Sequence, residues 1–411
     1  MGNIMNCLRN WSEQPLRLLA SLAASLVLAA CGGGGDGGGF AGTGGVGSGG
    51  TGMLASDVSV SGPIRGFGSV IVNGIRFDDS SASISLGDDN GGARSADLRL
   101  GMMVEIAGER GADGLTGVAR TITARSYVEG PISAMDVQAG LLTVLGVTVA
   151  VNADTVYDGD RVAGLADLAQ GDRVEVHGIP DASGQVQATR IERKPASNAL
   201  RMTGRIERSD AASITVNGIT VRTPPGGLTP GMLVRIEGTL ANDGAVVAHR
   251  ARDASLASQL QATGTGEVEV EGVVTAFTSP TAFEVNGVKV AVADTAKREG
   301  GAVAQGVRIE VEGSFSSDGT LQARKVEVKP EDDEDNDDDF ELHGRILAVD
   351  PATQTFTVNG RTIRVQWKPS TRFDDRGFPR GAASLAAGME VEVKGNIRGN
   401  VLEASHIELN D

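Results

Sequence analysis

Apolar and polar residues alternate along short segments through most of the chain, and glycine-rich breaks separate these segments. In residues 214–221, Ile-Thr-Val-Asn-Gly-Ile-Thr-Val, the pair Asn217-Gly218 divides two such alternations. Asn-Gly favours a type I′ turn, whose two central residues have positive φ and whose twist suits a two-residue hairpin loop. With that loop the four aliphatic residues of the segment share one face and the threonines share the other. The pattern therefore predicts a β-hairpin with one buried face.

The frame around this hairpin recurs five times, with a period close to seventy residues. Each copy opens with a glycine, passes a turn that contains glycine, reaches Gly-x-x-Val-x-Val-x-Gly and closes near Ala-x-x-Ile-Glu. The opening glycines are Gly62, Gly130, Gly204, Gly272 and Gly344. The turn residues are Asn73-Gly74, Leu145-Gly146, Asn217-Gly218, Asn286-Gly287 and Asn359-Gly360. The paired glycines, each pair seven residues apart, are Gly101/Gly108, Gly171/Gly178, Gly231/Gly238, Gly306/Gly313 and Gly388/Gly395.

The last two strands of each copy carry charged residues at regular positions. Val174-Glu175-Val176 and its equivalents are expected to place aliphatic side chains inward and carboxylates outward. A base stands two residues after the closing alanine at Arg190, Arg250, Lys325 and His406, and Thr121 is the exception. We expect these bases to pair across strands with the outward glutamates. A basic stripe for an anionic ligand is the alternative.

About five short strands per copy, with glycines at the corners, predict an all-β chain of five tandem small β-barrel modules of the OB type. A sandwich stays open, because the sequence does not fix the strand order. The signature Thr-Val-Asn-Gly followed by Gly-x-x-Val-x-Val-x-Gly resembles the domain-of-unknown-function repeats of bacterial envelope lipoproteins, over nearly all of residues 57–411. The resemblance implies fold and compartment, and it brings no catalytic residues. Copy three departs from the frame at Arg235 and Ala251, so we expect it to be the least stable.

The N-terminal segment has the features of an export signal. Arg9 and Arg17 precede an apolar run, residues 18–28, which is too short to span a bilayer. The run leads into Leu28-Ala29-Ala30-Cys31, which resembles the bacterial lipobox. This resemblance implies that Cys31 is acylated and becomes the mature N-terminus, anchored in the membrane by its acyl chains. Gly32 stands where an inner-membrane retention signal has Asp, which favours the outer membrane, at its periplasmic face or at the surface.

These patterns divide the chain into nine parts. They are a signal peptide (1–30), the lipidated cysteine with a disordered glycine-rich tether (31–56), module 1 (57–128), module 2 (129–198), module 3 (199–253), a linker (254–266), module 4 (267–329), an acidic linker (330–341) and module 5 (342–411). The tether cannot bury enough apolar surface to become ordered. In the first linker, Leu256 and Leu260 are placed to share the face of one helical turn.

Composition excludes several classes of partner. A formal charge of −16 repels phosphate backbones, and 3% aromatic residues provide few stacking platforms, so nucleic acid is not expected. The two cysteines, Cys7 and Cys31, form no zinc motif. In the acidic linker, Asp333, Asp335 and Asp337 have the spacing of a calcium loop without its glycine or its final glutamate. We expect a solvated hinge there, with at most weak divalent cation binding, and no cofactor.

Catalytic motifs are missing from the sequence. No nucleophile elbow, phosphate-binding loop or His-Glu-x-x-His occurs, and the four histidines lie far apart on positions expected to be exposed. The acid pairs after three hairpins, at Asp78-Asp79, Asp158-Gly159-Asp160 and Asp374-Asp375, are typical of turns. We therefore expect a non-enzymatic, membrane-anchored lipoprotein that presents its modules to an envelope protein partner or has a structural role. The alternative is a periplasmic binding module for a small solute or divalent cation, using those acidic loops.

Overall fold

The computed structural model describes residues 56–87, 92–158, 162–222, 227–261, 266–329, 340–358, 364–398 and 401–410. The predicted signal peptide, the lipobox with Cys31, the glycine tether, the turn residues Asn359 and Gly360, and the cation candidates Asp333, Asp335 and Asp337 lie outside these ranges. Residues 52–411 form one compact unit. Within the described ranges, the helices are too short or too polar to cross a membrane.

The elements of all five modules are almost entirely β-strands. Module 1 contains β1 (Ser56–Pro63), β2 (Gly66–Phe67), β3 (Val70–Val72), β4 (Ile75–Asp78), β5 (Ser83–Leu86), a 3-10 helix (Ser95–Asp97), β6 (Met103–Arg110) and β7 (Thr116–Ala124). Module 2 contains β8 (Val128–Asp136), β9 (Leu141–Val144), β10 (Val147–Ala150), β11 (Val156–Tyr157), a 3-10 helix (Leu165–Asp167), β12 (Arg173–Pro180) and β13 (Val186–Arg193). Module 3 contains β14 (Ala199–Ser209), β15 (Ser213–Val216), β16 (Ile219–Arg222), β17 (Leu233–Leu240) and β18 (Val246–Asp253). The helix α1 (Leu256–Gln261) follows it. Module 4 contains β19 (Glu267–Ser279), β20 (Ala282–Val285), β21 (Val288–Glu299), β22 (Arg308–Phe315) and β23 (Leu321–Val328). Module 5 contains β24 (Phe340–Asp350), β25 (Thr355–Val358), β26 (Arg364–Phe373), a 3-10 helix (Gly381–Ser384), β27 (Glu390–Arg398) and β28 (Val401–Leu409).

Each module closes into a small barrel. In module 2, β8 pairs with β9, β9 with β10, and β10 runs parallel to β13, which pairs with β12. The pairing of β12 with β8 closes the ring. Modules 3, 4 and 5 repeat this order, and module 1 does so with its first strand divided into β1 and β2. The all-β, OB-type barrel prediction is confirmed, and the sandwich alternative is excluded by this closure.

The seven-residue glycine spacing marks the turn before the fourth strand of the barrel ring, which is β12 in module 2, and a bulge inside that strand. In module 2, Gly171 has a φ of 92° and donates its N–H to the Ile132 carbonyl on the first strand at 2.9 Å. Gly178 lies at a β-bulge, where a Cβ atom would come within 2.4 Å of the Gln187 carbonyl oxygen. The second glycine of every pair has an equivalent clash with the fifth strand. The two glycines of each pair therefore have separate causes. The first lies in a turn that needs positive φ, and the second lies where the fourth and fifth strands approach too closely for a side chain.

The barrel cores merge across module boundaries. Aliphatic side chains at alternate strand positions, such as Val174 and Val176, are fully buried as the alternation predicts. Modules 2 and 3 share one continuous apolar cluster, and modules 1 and 5 share a second one. Module 4 has its own cluster, to which Leu260 of α1 contributes with Leu256 packed beside it. The modules are thus joined by packing as well as by the chain.

The first strand of each barrel also pairs with the first strand of another barrel. β1 of module 1 lies parallel to β19 of module 4, from Val58 opposite Glu267 to Ser61 opposite Val270. β2 runs parallel to β24 of module 5, and β8 of module 2 pairs with β14 of module 3. These pairings turn the outward faces of first strands into interfaces, which places charged side chains between modules.

Candidate functional site at the module junctions

The hairpin turns place their asparagines against the first strand. Asn73, Asn217 and Asn286 have φ values of 51°, 52° and 49°, and each is followed by a glycine of positive φ. The Asn217 amide donates to the Thr203 carbonyl at 3.1 Å, and Asn286 Oδ1 accepts the Val273 N–H at 3.1 Å. Leu145 adopts the same conformation with a φ of 47°. The turns therefore clamp the second and third strands onto the first.

A group of buried carboxylates lies between modules 1 and 4. Carboxylate oxygens of Glu269, Glu310 and Glu312 lie within 4.8 Å of one another. Glu269 is 0% exposed, and its Oε1 has no hydrogen-bond partner among the described residues. From module 1, Arg110 Nη1 approaches Glu269 Oε2 at 3.2 Å and Glu312 Oε2 at 3.4 Å. We call these three glutamates the 1–4 acid group.

Burial controls the protonation of the 1–4 acid group. Desolvation, reinforced by the neighbouring Glu310 carboxylate, raises the pKa of Glu269 to about 8, although Arg110 opposes the shift. Burial likewise raises the pKa of Glu310 against the effect of Lys329. Lys325 Nζ lies 3.1 Å from Glu312, and Lys329 Nζ lies 3.1 Å from Glu310. The group is therefore a partly protonated ion-pair network that holds two modules together.

A second ion-pair cluster joins modules 1, 4 and 5. Glu271 on β19 is 4% exposed and accepts a hydrogen bond from Arg308 Nε at 2.7 Å. Arg65 of module 1 lies 3.7 Å from the same carboxylate. The Arg65 guanidinium also lies 5.4 Å from the ring centre of Phe340, the first residue of β24. One arginine thus contacts both partner modules, through a charge and through an aromatic face.

A third cluster contains His343 on β24. Its Nε2 is hydrogen-bonded to Glu341 and lies 3.5 Å from Glu392 Oε2. Burial opposes ionisation of Glu341, but the hydrogen bond from His343 and the charge of Arg76 in module 1 lower the pKa of that carboxyl. Lys394 Nζ lies 2.9 Å from Glu392.

Two of these clusters have donor atoms suited to a divalent cation. They are the 1–4 acid group and the set Glu341, His343 and Glu392. In both, arginine and lysine side chains already neutralise the carboxylates, so a cation would have to displace them. The residues present in these two clusters bind modules to one another. Both groups are distinct from the acidic linker that the sequence suggested for cation binding.

The structure corrects two expectations about charged positions. His177 and His343 were expected to be exposed, but they are only 2% and 8% exposed. The outward face of His177 meets module 1, and its Nδ1 accepts the Met103 N–H at 3.2 Å. Arg190 was expected to pair with Glu175 across strands, which is wrong, because the bulge after His177 sets Arg190 opposite His177. Arg190 instead contacts Glu192 at 2.6 Å and the Leu100 carbonyl of module 1 at 3.2 Å. Glu175 pairs with Lys194 at 2.7 Å.

The acid pairs after the hairpins have local partners. Asp78 accepts the Ser80 N–H at 3.0 Å, and Asp158 accepts the Arg193 N–H at 3.2 Å. Asp374 accepts the N–H groups of Arg376 and Gly377 at 3.4 Å each. Asp160 lies outside the described residues. These carboxylates hold turns and loop ends, which is the common use of Asp in such positions.

Sequence reasoning missed the residues that join modules. Arg110, Arg65 and Arg76 of module 1 stand at no distinctive position of the repeat frame. Arg235 was noticed only as a departure, and the structure buries it to 4% exposure with its Nη1 donating to the Ser126 carbonyl at 2.5 Å. The signal for such contacts is a residue that occurs in only one of the five copies, and it is found by comparing the copies with one another.

The strand order and module junctions define a class of protein: an array of five OB-type barrels interlocked through their first strands. The chain belongs to the family described as "Domain of unknown function (DUF5666)", whose model matches residues 59–123, 129–192, 203–251, 271–327 and 343–408. The five predicted repeats are thereby confirmed. No curated protein matches the chain.

Two solved structures are similar to part of the chain. The first is described as Drosophila Unr CSD456, at 15% identity, covering 49% of this chain and 98% of that one, with a TM-score of 0.17. The second is a multidomain protein with nucleic acid binding domains from Streptococcus pneumoniae, at 10% identity, covering 51% and 73%, with a TM-score of 0.13. Because these TM-scores are low, the fold assignment rests on the strand order described above.

Proposed function

We propose that this protein is a non-enzymatic lipoprotein of the bacterial cell envelope, which holds its five modules as one body and presents that body to an envelope protein partner. The observation that carries the proposal is the pairing of first strands between barrels, reinforced by polar contacts between modules such as those of Arg110 with the 1–4 acid group. The charged side chains in these clusters pair with one another, and in doing so they join the modules. A body of this kind suits presentation of a fixed surface.

The outer faces of the barrels favour a protein partner over nucleic acid. OB-type barrels bind oligonucleotides on the face of their second and third strands, usually with stacking aromatic rings. In the described residues of those strands, aromatic side chains are buried or pack on one another, at Phe77, Phe283, Phe356, Trp367 and Phe373. Together with the charge of −16, this supports the exclusion of nucleic acid.

An exposed apolar tip offers a contact surface. Leu115, the last residue of the loop between β6 and β7, is 66% exposed, and Val118 on β7 is 47% exposed. We take the exposed Leu115 side chain as the candidate contact point for a protein partner. Membrane attachment at Cys31 would confine the body to a surface and raise its effective concentration near such a partner.

Photo-crosslinking from position 115 in intact envelopes tests the proposal. We expect a discrete crosslinked protein and a membrane-bound chain in the native protein, and loss of both after Cys31→Ala. Cys7→Ala is the matched control, because it makes the same change upstream of the lipobox and leaves attachment intact. Capture that is unchanged by Cys31→Ala would contradict the anchored role, and the lack of any discrete species from position 115 would contradict the partner.

A further inference from the structure

Modules 1 and 2 meet at the turn before β6, residues 100–103. A Cβ atom on Gly101 would lie 2.3 Å from the Thr189 carbonyl oxygen, so the two backbones are in close contact here. Three side chains of module 2 form hydrogen bonds with the backbone of this turn, and we call these bonds the 1–2 junction. Thr189 Oγ1 donates to the Gly101 carbonyl at 2.6 Å, Arg190 Nη1 donates to the Leu100 carbonyl at 3.2 Å, and His177 Nδ1 accepts the Met103 N–H at 3.2 Å.

The histidine differs from the other two side chains because it accepts its hydrogen bond. A backbone N–H can only donate, so the Nδ1 atom that faces Met103 carries no proton, and the proton of the neutral ring is on Nε2. His177 is 2% exposed, and its Nε2 has no hydrogen-bond partner among the described residues. Protonation of the ring would place a hydrogen on Nδ1, directly against the Met103 N–H. The 1–2 junction therefore requires the neutral imidazole.

The charged groups around His177 do not replace this requirement. Two carboxylates and two guanidinium groups act on the ring: Glu175 on β12, Arg190 and Glu192 on β13, and Arg235 on β17 of module 3. On the module 1 side, β6 carries Glu105, which pairs with Arg125. Burial, opposed by the two carboxylates and assisted by the two guanidinium groups, lowers the pKa of His177 from its ordinary 6.5.

Acid therefore favours opening of the 1–2 junction. Once the junction is open, water reaches the His177 ring, and its pKa returns to about 6.5. Below that pH the open form holds a proton that the closed form lacks, so the opening equilibrium constant rises by up to about tenfold for each pH unit. This rise ends at the pKa of the closed form. Hydroxyl and guanidinium groups do not titrate in this range, so only the histidine of the three side chains responds.

We propose that His177 makes the 1–2 junction acid-sensitive. Protonation of its ring breaks the hydrogen bond to Met103 and releases the turn before β6 from module 2, while the barrels themselves stay folded.

The test is hydrogen exchange of the full-length chain, followed by mass spectrometry between pH 7.5 and pH 5.0. The quantity compared is the protection factor of the peptide that contains Met103, which is already corrected for the effect of pH on intrinsic exchange. We expect it to fall at least about fivefold over this range. Peptides from β9 and β10, inside the barrel of module 2, should keep their protection. Unchanged protection at Met103, or an equal loss in β9 and β10, would overturn the proposal.

His177→Gln removes the titrating group and keeps an acceptor. The glutamine Oε1 can accept the Met103 N–H, so we expect similar protection at both ends of the pH range. His249→Gln is the matched control, because His249 is an exposed histidine on β18 of module 3, and this variant should retain the native pH response. A response in His177→Gln as large as that of the native protein would show that another group causes the opening.

Titration of the His177 ring gives a second readout that does not depend on how well glutamine replaces it. The carbon-bound ring protons of the native chain can be followed by NMR across the same pH range. We expect the midpoint of the fall in Met103 protection to coincide with the midpoint of this titration. Midpoints that differ by more than about one pH unit would assign the opening to another group, such as Glu105, and would overturn the proposal.

Discussion

The side chain of Asn217, at the tip of its hairpin, lies directly on Gly204 in the first strand of module 3. A Cβ atom on Gly204 would come within 2.2 Å of Asn217 Oδ1, while the Asn217 amide donates to the neighbouring Thr203 carbonyl. Gly62 with Asn73 and Gly272 with Asn286 repeat the contact. Two separate marks of the repeat, the opening glycine and the turn asparagine, are therefore the two sides of one contact that closes the barrel.

Gly204→Ala should lower the free energy of unfolding by about 1–2 kcal/mol, because the added methyl group displaces the asparagine from its hydrogen bond. The measurement is the urea midpoint followed by circular dichroism. Asn217→Gly keeps positive φ at the turn and removes the obstructing side chain. In that background the cost of Gly204→Ala should fall by roughly half, and equal costs in both backgrounds would refute the contact.

The bulge glycine of module 2 should tolerate substitution less well. Gly178→Ala would bring a methyl group within 2.4 Å of a backbone carbonyl, which has no rotamer by which to move away. We expect a loss of about 2–3 kcal/mol in the free energy of unfolding. Gly164→Ala, in the same module, meets nothing within 4 Å and should change the urea midpoint little. Similar midpoints for the two variants would show that the fifth strand yields at the crossing.

Arg110 should matter more to stability than a surface arginine of the same module. Its side chain is 17% exposed, and Arg110→Gln leaves the 1–4 acid group without its module 1 cation. We expect a loss on the order of 3 kcal/mol, measured by urea unfolding. Arg120→Gln removes the exposed pair with Asp57, at 2.6 Å, and should cost less than about 1 kcal/mol. A smaller loss for Arg110→Gln than for Arg120→Gln would exclude a stabilising role of this contact.

Glu269 should make the protein less stable as the pH rises from about 4.5 to about 8. Burial raises its pKa to about 8 from an ordinary 4.5, so in this window the folded state holds a proton that the unfolded state has lost. Glu269→Gln should abolish this component, with similar stability near pH 4.5 and a gain on the order of a few kcal/mol at pH 8.

The measurement for Glu269 is the urea midpoint at pH 5 and pH 8. Glu390→Gln is the control, because the Glu390 carboxylate is 43% exposed and pairs with Arg345 on the surface of module 5. Its effect should be small and equal at both pH values. A pH dependence that is the same in Glu269→Gln and the native protein would show that Glu269 titrates normally.

Short-range features of this protein could be predicted from sequence because their causes are short-range. The turn at Asn217-Gly218 follows from the φ preferences of two adjacent residues, and the alternation around Val174 follows from strand geometry. Leu145 shows where such reasoning weakens, because nothing in its residue type favours the φ of 47° that it adopts. It is held there by packing, with its side chain over Gly130 as the asparagines lie over theirs.

The junctions could not be predicted, because they depend on how barrels dock. Arg110 and Glu269 are 159 residues apart, and neither position stands out in its own module. The docking of barrels also explains why His177 was expected to be exposed. Its side chain is on the outward face of its own barrel, but that face is covered by another module. Arg235 was the informative exception, since its charge breaks the repeat frame at the residue that reaches a neighbouring module.

The pairing of β1 with β19 has a consequence for how the chain acquires its structure. Ser56 and Glu267, which meet at this junction, are 211 residues apart. A ribosome that adds about 5–20 residues per second needs roughly 10–40 s to cover that distance. A small β-barrel folds within milliseconds to seconds, so module 1 completes its own barrel long before module 4 has been synthesised. During that interval β1 is an exposed strand edge on a folded domain. A factor that accompanies the nascent chain would have to keep this edge from pairing with other strands.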